Sequence, residues 1–380
     1  MQSELERILG EAVAGGDLIE AAAAVATPTG TFAAAAGQRS EGTEMTPDSI
    51  VWIASMTKAV TAVAAMQLVE QGRVALDQPC HELVPYLAEA QVLDGFDDDG
   101  SPKLRPPARP ITLRHLLSHT AGFGYDFTDP LIARFVAEQG LPSIVDGTAA
   151  AYEQPLLFDP GDRWAYGINI DWAGQVVEAA TKTRLDDHLR SAIFEPLGMP
   201  DTGFGRDAAG RSRTADMHLR TPDGLTPVPF ETKEDPEFLM AGGGLYGTVV
   251  DYLRFARMML GGGALEGTRI ITADSVREMG TNQIGTLDVG GWHAVNPILS
   301  NEVDLGGGQQ FGLSFLLNPE TTPEGRAPGS MMWAGLANTY YWIDPATQVA
   351  GVFATQVLPF FDRPSLEAFR AVERAVYSSL

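Results

Sequence analysis

The sequence is poor in cysteine and in long apolar runs, and each shortage excludes a class of protein. Its single cysteine, Cys80, has no internal partner for a disulfide, so the composition does not indicate an oxidising compartment. No apolar run approaches the ~20 residues that span a bilayer. The first residues lack the basic start and apolar core of a signal peptide. We therefore expect a cytoplasmic protein without a membrane span.

Positive charge is also scarce. The 26 lysines and arginines stand against 49 aspartates and glutamates, which leaves a formal net charge of -23 over 380 residues. Such a surface repels the phosphates of nucleic acids and anionic lipids. Neither a nucleic acid nor a membrane is therefore an expected partner, and the sequence gives no indication of the oligomeric state.

Lysine is the scarcer of the two strong cations, with four lysines against 22 arginines. Arginine keeps its proton in proteins, whereas a lysine that is removed from water can lose it. Lys58 lies in an apolar stretch, between Ile53 and Val63. This position favours a role in proton transfer over a role as a surface charge.

Ser55 stands three residues before Lys58, at the start of a predicted helix over residues 55–71. Residues i and i+3 share a helix face, so the Lys58 amine can reach the Ser55 hydroxyl. A serine hydroxyl becomes an effective nucleophile when a nearby base takes its proton. The pattern predicts a nucleophilic serine, although Ser-x-x-Lys alone also fits a capping serine beside a solvated lysine.

Other catalytic signatures are weak. The chain has no Gly-x-Ser-x-Gly elbow, and its glycine-rich stretches lack the spacing of phosphate-binding loops. None of the six histidines has a distinctive context. His115 and His119 are four residues apart with no carboxylate between them, so we expect no metal site.

Two hairpin patterns lie near the ends of the chain. Apolar runs at 19–26 and 31–37 flank one turn sequence, and runs at 339–343 and 349–357 flank another. Helical patterns occupy the middle of the chain, and a later helix over 252–260 has Asp251 as its predicted N-cap. We predict a sandwich domain from residues 1–85 and 240–380, a mainly helical insertion domain from 86–239, and an active site at their interface.

The stretch 53–58, followed by an apolar helix, resembles the class C β-lactamase and penicillin-binding-protein superfamily, and within it the family VIII carboxylesterases. Residues 111–122, 193–199 and 243–245 agree with that superfamily in order and spacing. The resemblance covers nearly the whole chain. It implies an α/β fold of the α+β type, in which N- and C-terminal strands form an antiparallel sheet flanked by helices, and it implies no cofactor.

The same resemblance assigns Tyr166 to the family's Tyr-x-Asn motif, with Ile168 at the Asn position and Asn169 one place later. It implies that Tyr166, with its phenolate stabilised by Lys58, is the general base for Ser55. Which of the two holds the proton at each step stays open, because their titrations are coupled.

Trp333-Ala334-Gly335 stands where the family has Lys-Thr-Gly. The resemblance implies an oxyanion hole made by the backbone N–H groups of Ser55 and Leu336. A tryptophan in place of the cation leaves an apolar wall suited to an uncharged ester. The expected substrate-binding residues are Trp333, Gly335, Tyr125, Phe123 and Asn169.

These observations predict a serine carboxylesterase that hydrolyses small, short-chain esters through an acyl-enzyme on Ser55. A β-lactamase or D-alanyl peptidase is disfavoured by Ile168 and Trp333. An acyltransferase that passes the acyl group to an acceptor other than water would use the same site. A non-catalytic acyl-binding protein would be favoured if Ser55, Lys58 or Tyr166 were missing, and all three are present.

Overall fold

A computed structural model describes residues 1–233 and 235–380. The α-helices in these ranges are α1 (Gln2–Ala14), α2 (Thr57–Glu70), α3 (Leu113–Leu117), α4 (Pro130–Gln139), α5 (Asn169–Thr181), α6 (Leu185–Leu189), α7 (Glu195–Leu197), α8 (Ala208–Ser212), α9 (Val249–Leu260), α10 (Ala273–Met279) and α11 (Arg363–Ser378).

The strands in the same ranges are β1 (Glu20–Thr27), β2 (Gly30–Ser40), β3 (Thr43–Glu44), β4 (Val51–Trp52), β5 (Val92–Phe96), β6 (Pro102–Arg105), β7 (Met217–Thr221), β8 (Gly224–Val228), β9 (Tyr246–Gly247), β10 (Ala264–Leu265), β11 (Thr268–Arg269), β12 (Gly291–Trp292), β13 (Val303–Asp304), β14 (Gln310–Phe311), β15 (Leu316–Leu317), β16 (Met331–Gly335), β17 (Thr339–Asp344), β18 (Val349–Ala354) and β19 (Val357–Leu358).

The largest sheet contains strands from both ends of the chain. It has eight strands in the order β14-β15-β16-β17-β18-β1-β2-β3, and each neighbouring pair is antiparallel. Within it β1 pairs with β18, so that Ala22 lies opposite Ala354. The two predicted hairpins are confirmed as β1–β2 and β17–β18.

The sheet is covered by helices on both faces, which confirms the predicted fold class. Helix α9 packs on one face, and α1 and α11 pack on the other. Strand β1, which lies inside the sheet, has alanine at five of its eight positions and is buried almost throughout its length. Because alanine side chains are small, the helices on both sides approach the middle of the sheet closely.

Helix α2 lies inside the protein and is buried from Thr57 to Leu68. A helix that is apolar on all sides is typical of a core position. It is 14 residues long, whereas a span needs ~20. Within residues 1–233 and 235–380, no helix has both the length and the apolar character needed to cross a membrane.

The middle of the chain contains α3 to α8 but also strands. The hairpin β7–β8 pairs in parallel with β19, which comes from the C-terminal part. The predicted helical character of residues 86–239 is therefore incomplete, and the boundaries at 86 and 239 stay a prediction. The predicted cap of the later helix is wrong. The helix begins at Val249, so Asp251 lies in its first turn and Thr248 is the cap, accepting from the Asp251 backbone N–H. The Asp251 carboxylate accepts from the Asp201 N–H and the Thr202 hydroxyl.

The centre of the sheet offers a test of its packing. Trp342 in β17 lies opposite Gly351 in β18, and a Cβ at Gly351 would overlap the indole ring. We expect Gly351→Ala to lower the free energy of unfolding by ~1–3 kcal/mol in urea titrations, because the core is overpacked. Gly10→Ala is the matched control, since Gly10 lies in α1 with nothing within 4 Å of its added Cβ. It should raise stability by ~0.5–1 kcal/mol, and equal effects at both sites would contradict this packing.

Candidate active site

The backbone turns sharply just before Ser55. Ala54 has a φ of 45°, a region that residues with a Cβ rarely adopt. Contacts on both sides hold the turn, since the Trp52 indole donates to the Gly243 carbonyl at 2.7 Å and the Thr57 hydroxyl donates to the Ala54 carbonyl at 2.6 Å. Strained backbone of this kind persists where the surroundings enforce it, and here it presents Ser55 in the short 3-10 turn just before α2.

Lys58 is 1% exposed and makes the contact with Ser55 that the sequence predicts. Its Nζ donates to Ser55 Oγ at 2.9 Å. It also donates to the Tyr125 hydroxyl at 3.1 Å and to the Gly242 carbonyl at 2.6 Å. An ammonium has three protons to donate, so these three acceptors satisfy the buried lysine.

Asp171, which the sequence analysis missed, lies buried on the other side of Gly242. Its Oδ1 accepts from the Gly242 backbone N–H at 2.9 Å. Burial raises the pKa of the Asp171 carboxyl to about 6, although the nearby Lys58 charge opposes this shift. One residue, Gly242, therefore contacts the carboxylate through its N–H and the lysine through its carbonyl. The available signal was an aspartate in the first turn of a largely apolar helix, five residues after Tyr166.

Tyr166 lies beside Lys58 with its ring rather than its hydroxyl. The Lys58 Nζ is 4.7 Å from the centre of the Tyr166 ring, a distance at which a cation is attracted to the face of an aromatic ring. The Tyr166 hydroxyl accepts from the Trp333 indole N–H at 3.2 Å, and its ring stacks on Trp292. The structure thus brings together Ser55, Lys58 and Tyr166, with Trp333 orienting the phenol.

Tyr125 is the tyrosine whose hydroxyl contacts Lys58. Burial raises the pKa of Tyr125 well above its usual value, and the nearby Asp171 and Tyr166 raise it further. Tyr125 therefore keeps its proton more firmly than a solvated tyrosine does. The sequence assigned Tyr125 to the substrate pocket, and the structure places it both on the cavity wall and against the lysine.

The end of β16 passes very close to the turn that presents Ser55. A Cβ at Gly335 would overlap the Ile53 carbonyl and the Thr339 hydroxyl, so only glycine permits this approach. Leu336 follows directly, and Ser55 and Leu336 both border the same cavity. This placement supports a pair of N–H donors for a developing oxyanion, which stays a prediction.

Ser55 borders a cavity of about 290 Å³, near the lower end of the ~300–1,000 Å³ usual for ligand sites. Trp333, Gly335 and Tyr125 line it, as expected. Phe123 and Asn169 lie behind the wall instead. Phe123 stacks on Trp172, and the Asn169 side-chain amide donates to the Phe123 carbonyl at 3.1 Å. These two side chains are buried and do not line the cavity beside Ser55. The structure therefore does not place them where a substrate in this cavity would contact them.

Three comparisons describe what this chain is similar to. A family model described as Beta-lactamase matches residues 5–374. The lovastatin esterase of Penicillium rubens is 32% identical over 330 residues, covering 82% of this chain and 81% of that protein. The monacolin J acid methylbutanoyltransferase of Aspergillus terreus is 30% identical over 377 residues, covering 92% and 88%. A mutant of simvastatin synthase (LovD) from Aspergillus terreus superimposes with a TM-score of 0.85 at 28% identity, covering 99% of this chain and 96% of that one.

The two tyrosines beside Lys58 provide a matched pair of variants. If Tyr166 is the base, Tyr166→Phe should lower kcat for an ester by at least ~100-fold, the scale of general acid–base catalysis. Tyr125→Phe removes one acceptor of Lys58 and should lower kcat by less than ~10-fold. Steady-state rates with a nitrophenyl ester measure both effects. A larger loss for Tyr125→Phe than for Tyr166→Phe would exchange the two roles.

Proposed function

The chain is a serine hydrolase of the beta-lactamase family, as its motifs indicated, and we propose that it transfers acyl groups from neutral esters through an acyl-enzyme on Ser55. The observation that supports this most directly is the hydrogen bond of 2.9 Å from Lys58 to Ser55. Ser55 borders a cavity that Trp333 also lines. Trp333 stands at the position where the family has a cation.

The proposed reaction begins with attack of Ser55 Oγ on the ester carbonyl carbon. The Ser55 proton passes to the basic partner formed by Lys58 and Tyr166. The carbonyl oxygen takes the negative charge and accepts from the N–H groups of Ser55 and Leu336, each donor being worth ~3 kcal/mol. The C–O bond to the alcohol then breaks, and the alcohol leaves with the proton. An acyl-enzyme on Ser55 remains.

The second half of the reaction decides between hydrolysis and transfer. One relative is named as an esterase and another as a methylbutanoyltransferase, and the same acyl-enzyme serves both reactions. The apolar wall around Ser55 includes Tyr125, Phe127, Trp292 and Trp333, and such a wall favours an organic alcohol over water. We therefore propose acyl transfer rather than ester hydrolysis alone, with an alcohol competing with water as the acceptor of the acyl group.

A β-lactam is a poorer substrate for this site than a neutral ester. It brings a carboxylate, and burying that charge next to Trp333 without a paired cation is costly. The cations that border the cavity, Arg326 and Arg370, are near the acidic side chains of Glu373 and Glu324. A neutral ester carries no such charge and gains from contact with the indole.

We expect kcat/KM for nitrophenyl butyrate to exceed that for a chromogenic cephalosporin by ~10³-fold or more, equivalent to ~4 kcal/mol in transition-state binding. With butanol added, chromatography should detect butyl butyrate. Ser55→Ala should lose both ester activities, which controls for spontaneous reaction. Cephalosporin turnover similar to ester turnover would contradict the assignment, and the absence of butyl butyrate would restrict it to hydrolysis.

A further inference from the structure

The cavity beside Ser55 continues to the opposite face of the large sheet. Successive side chains of a strand point to opposite faces, so Met332 and Ala334 point away from the face occupied by Trp333. All three border the same cavity. Phe369, which belongs to α11 on that opposite face, also borders it. The cavity therefore passes around the edge of β16.

The pairing of β16 explains the opening. Strand β15 pairs with Met331 and Met332 only, so β16 continues beyond its neighbour. The ring of Trp292 fills the space beside this edge, stacked on Tyr166 at 5.0 Å and on Phe360 at 5.9 Å between ring centres. Trp292 and Phe360 both line the cavity, which gives a continuous aromatic surface from the nucleophile side to the α11 side.

The part of the cavity beyond β16, here called the rear compartment, has apolar walls and a polar end. Its apolar lining is Met332, Ala334, Phe361, Leu366 and Phe369, and its polar end is Asn318, Arg326 and Glu373. The three polar side chains belong to residues that are only 7%, 7% and 0% exposed, respectively. Arg326 Nε lies 2.8 Å from Glu373 Oε1.

Several polar atoms at this end have no hydrogen-bond partner within the described residues. They are the donors Arg326 Nε and Nη1 and the acceptors Asn318 Oδ1, Glu373 Oε1 and Glu373 Oε2, of which Arg326 Nε and Glu373 Oε1 face each other in the ion pair. Buried polar atoms left unpaired cost ~1–3 kcal/mol each, so native sites of this kind usually pair with water or a ligand. Donor and acceptor atoms together on a cavity wall indicate a ligand group that can both accept and donate.

A hydroxyl group has both properties. A carboxylate would gain from Arg326 and Arg370 but would face Glu373 and Glu324, and all four border the same cavity. An unsubstituted alkyl end would leave Arg326 Nη1, Asn318 Oδ1 and Glu373 Oε2 without a partner. The mixed charges of this end therefore favour a neutral ligand group over an anion.

We propose that the rear compartment binds the far end of an extended acyl chain that carries a hydroxyl group, so that the preferred acyl donors are hydroxyacyl esters. This rests on the acyl transfer proposed above. The acyl group stays on Ser55 through both half-reactions, whereas the alcohol must leave and the acceptor must enter. The acyl group is therefore suited to the rear compartment. The alcohol and the acceptor, which exchange, are suited to the part of the cavity beside Ser55.

Two series of nitrophenyl esters test the proposal, with unbranched acyl chains from acetyl to tetradecanoyl, each with and without a terminal hydroxyl. We expect kcat/KM to pass through a maximum at a long chain, where the hydroxyl raises it by about tenfold, the scale of one buried hydrogen bond. No gain from the hydroxyl at any length would overturn the proposal. If a hydroxyl raised kcat/KM only when it was placed on the alcohol part of the ester, the compartment would bind the alcohol and not the acyl chain.

A variant that fills the compartment gives a second test. Leu366→Trp should lower the ratio of kcat/KM for the long ester to that for the acetyl ester by at least about tenfold. The larger indole would occupy space that the long acyl chain needs, and a steric loss in a pocket is on this scale. Leu225→Trp is the matched control, because Leu225 packs in the same apolar cluster and is absent from the cavity lining. An unchanged ratio in Leu366→Trp would contradict the proposal.

The double variant Arg326→Met with Glu373→Met removes both charges together, so that neither is left buried alone. It should lower the ratio of kcat/KM for a hydroxyacyl ester to that for the unsubstituted ester of the same length by about tenfold. Equal loss with every ester would show that the pair only supports the fold, which contradicts the proposal.

Binding is measured separately from turnover. Ser55→Ala protein should bind the ethyl ester of the best hydroxy acid about tenfold more tightly in calorimetry than the ester without the hydroxyl. Equal binding would contradict the proposal. Absence of all ester hydrolysis in the unmodified protein would instead count against the proposed function, so the two failures are distinguishable.

Discussion

A lysine side chain buried inside the protein sets the strictest requirement on this structure. Lys58 is 1% exposed, and an unpaired buried charge costs several kcal/mol. Its three acceptors come from three distant parts of the chain: the turn before α2 supplies Ser55, the loop after α3 supplies Tyr125, and the loop before β9 supplies Gly242. Asp171 then fixes Gly242 from the other side by accepting from its backbone N–H. The hydrogen bonds of Lys58 therefore also position Ser55 and the two loops that contain Tyr125 and Gly242.

Much of this arrangement was predictable because it depends on local pattern. The hairpins followed from apolar runs on either side of turn sequences, and the contact between Ser55 and Lys58 followed from their spacing on one helix. The place of Tyr166 came from resemblance, because 108 positions separate it from Lys58 and no local rule connects them. Local pattern also gave the wrong cap for α9, since the helix begins at Val249, two residues before Asp251.

The rest could not be read from sequence because it depends on long-range packing. Nothing near Asp171 in the chain shows that it approaches Gly242, which lies 71 residues away. Asn169 follows the family motif by one place, and only the packed structure shows that its amide is turned toward buried backbone. The rear compartment arises because β15 is shorter than β16, a feature of pairing rather than of either strand alone.

The central claim is that Lys58 makes Ser55 nucleophilic, and the rate at which a fluorophosphonate probe labels Ser55 tests it most directly. Peptide mapping should find the label on Ser55 alone. Lys58→Arg keeps the positive charge but cannot give up a proton, so it should slow labelling by at least ~100-fold, nearly as much as Lys58→Ala. Labelling of another serine, or a near-normal rate in Lys58→Arg, would contradict the claim.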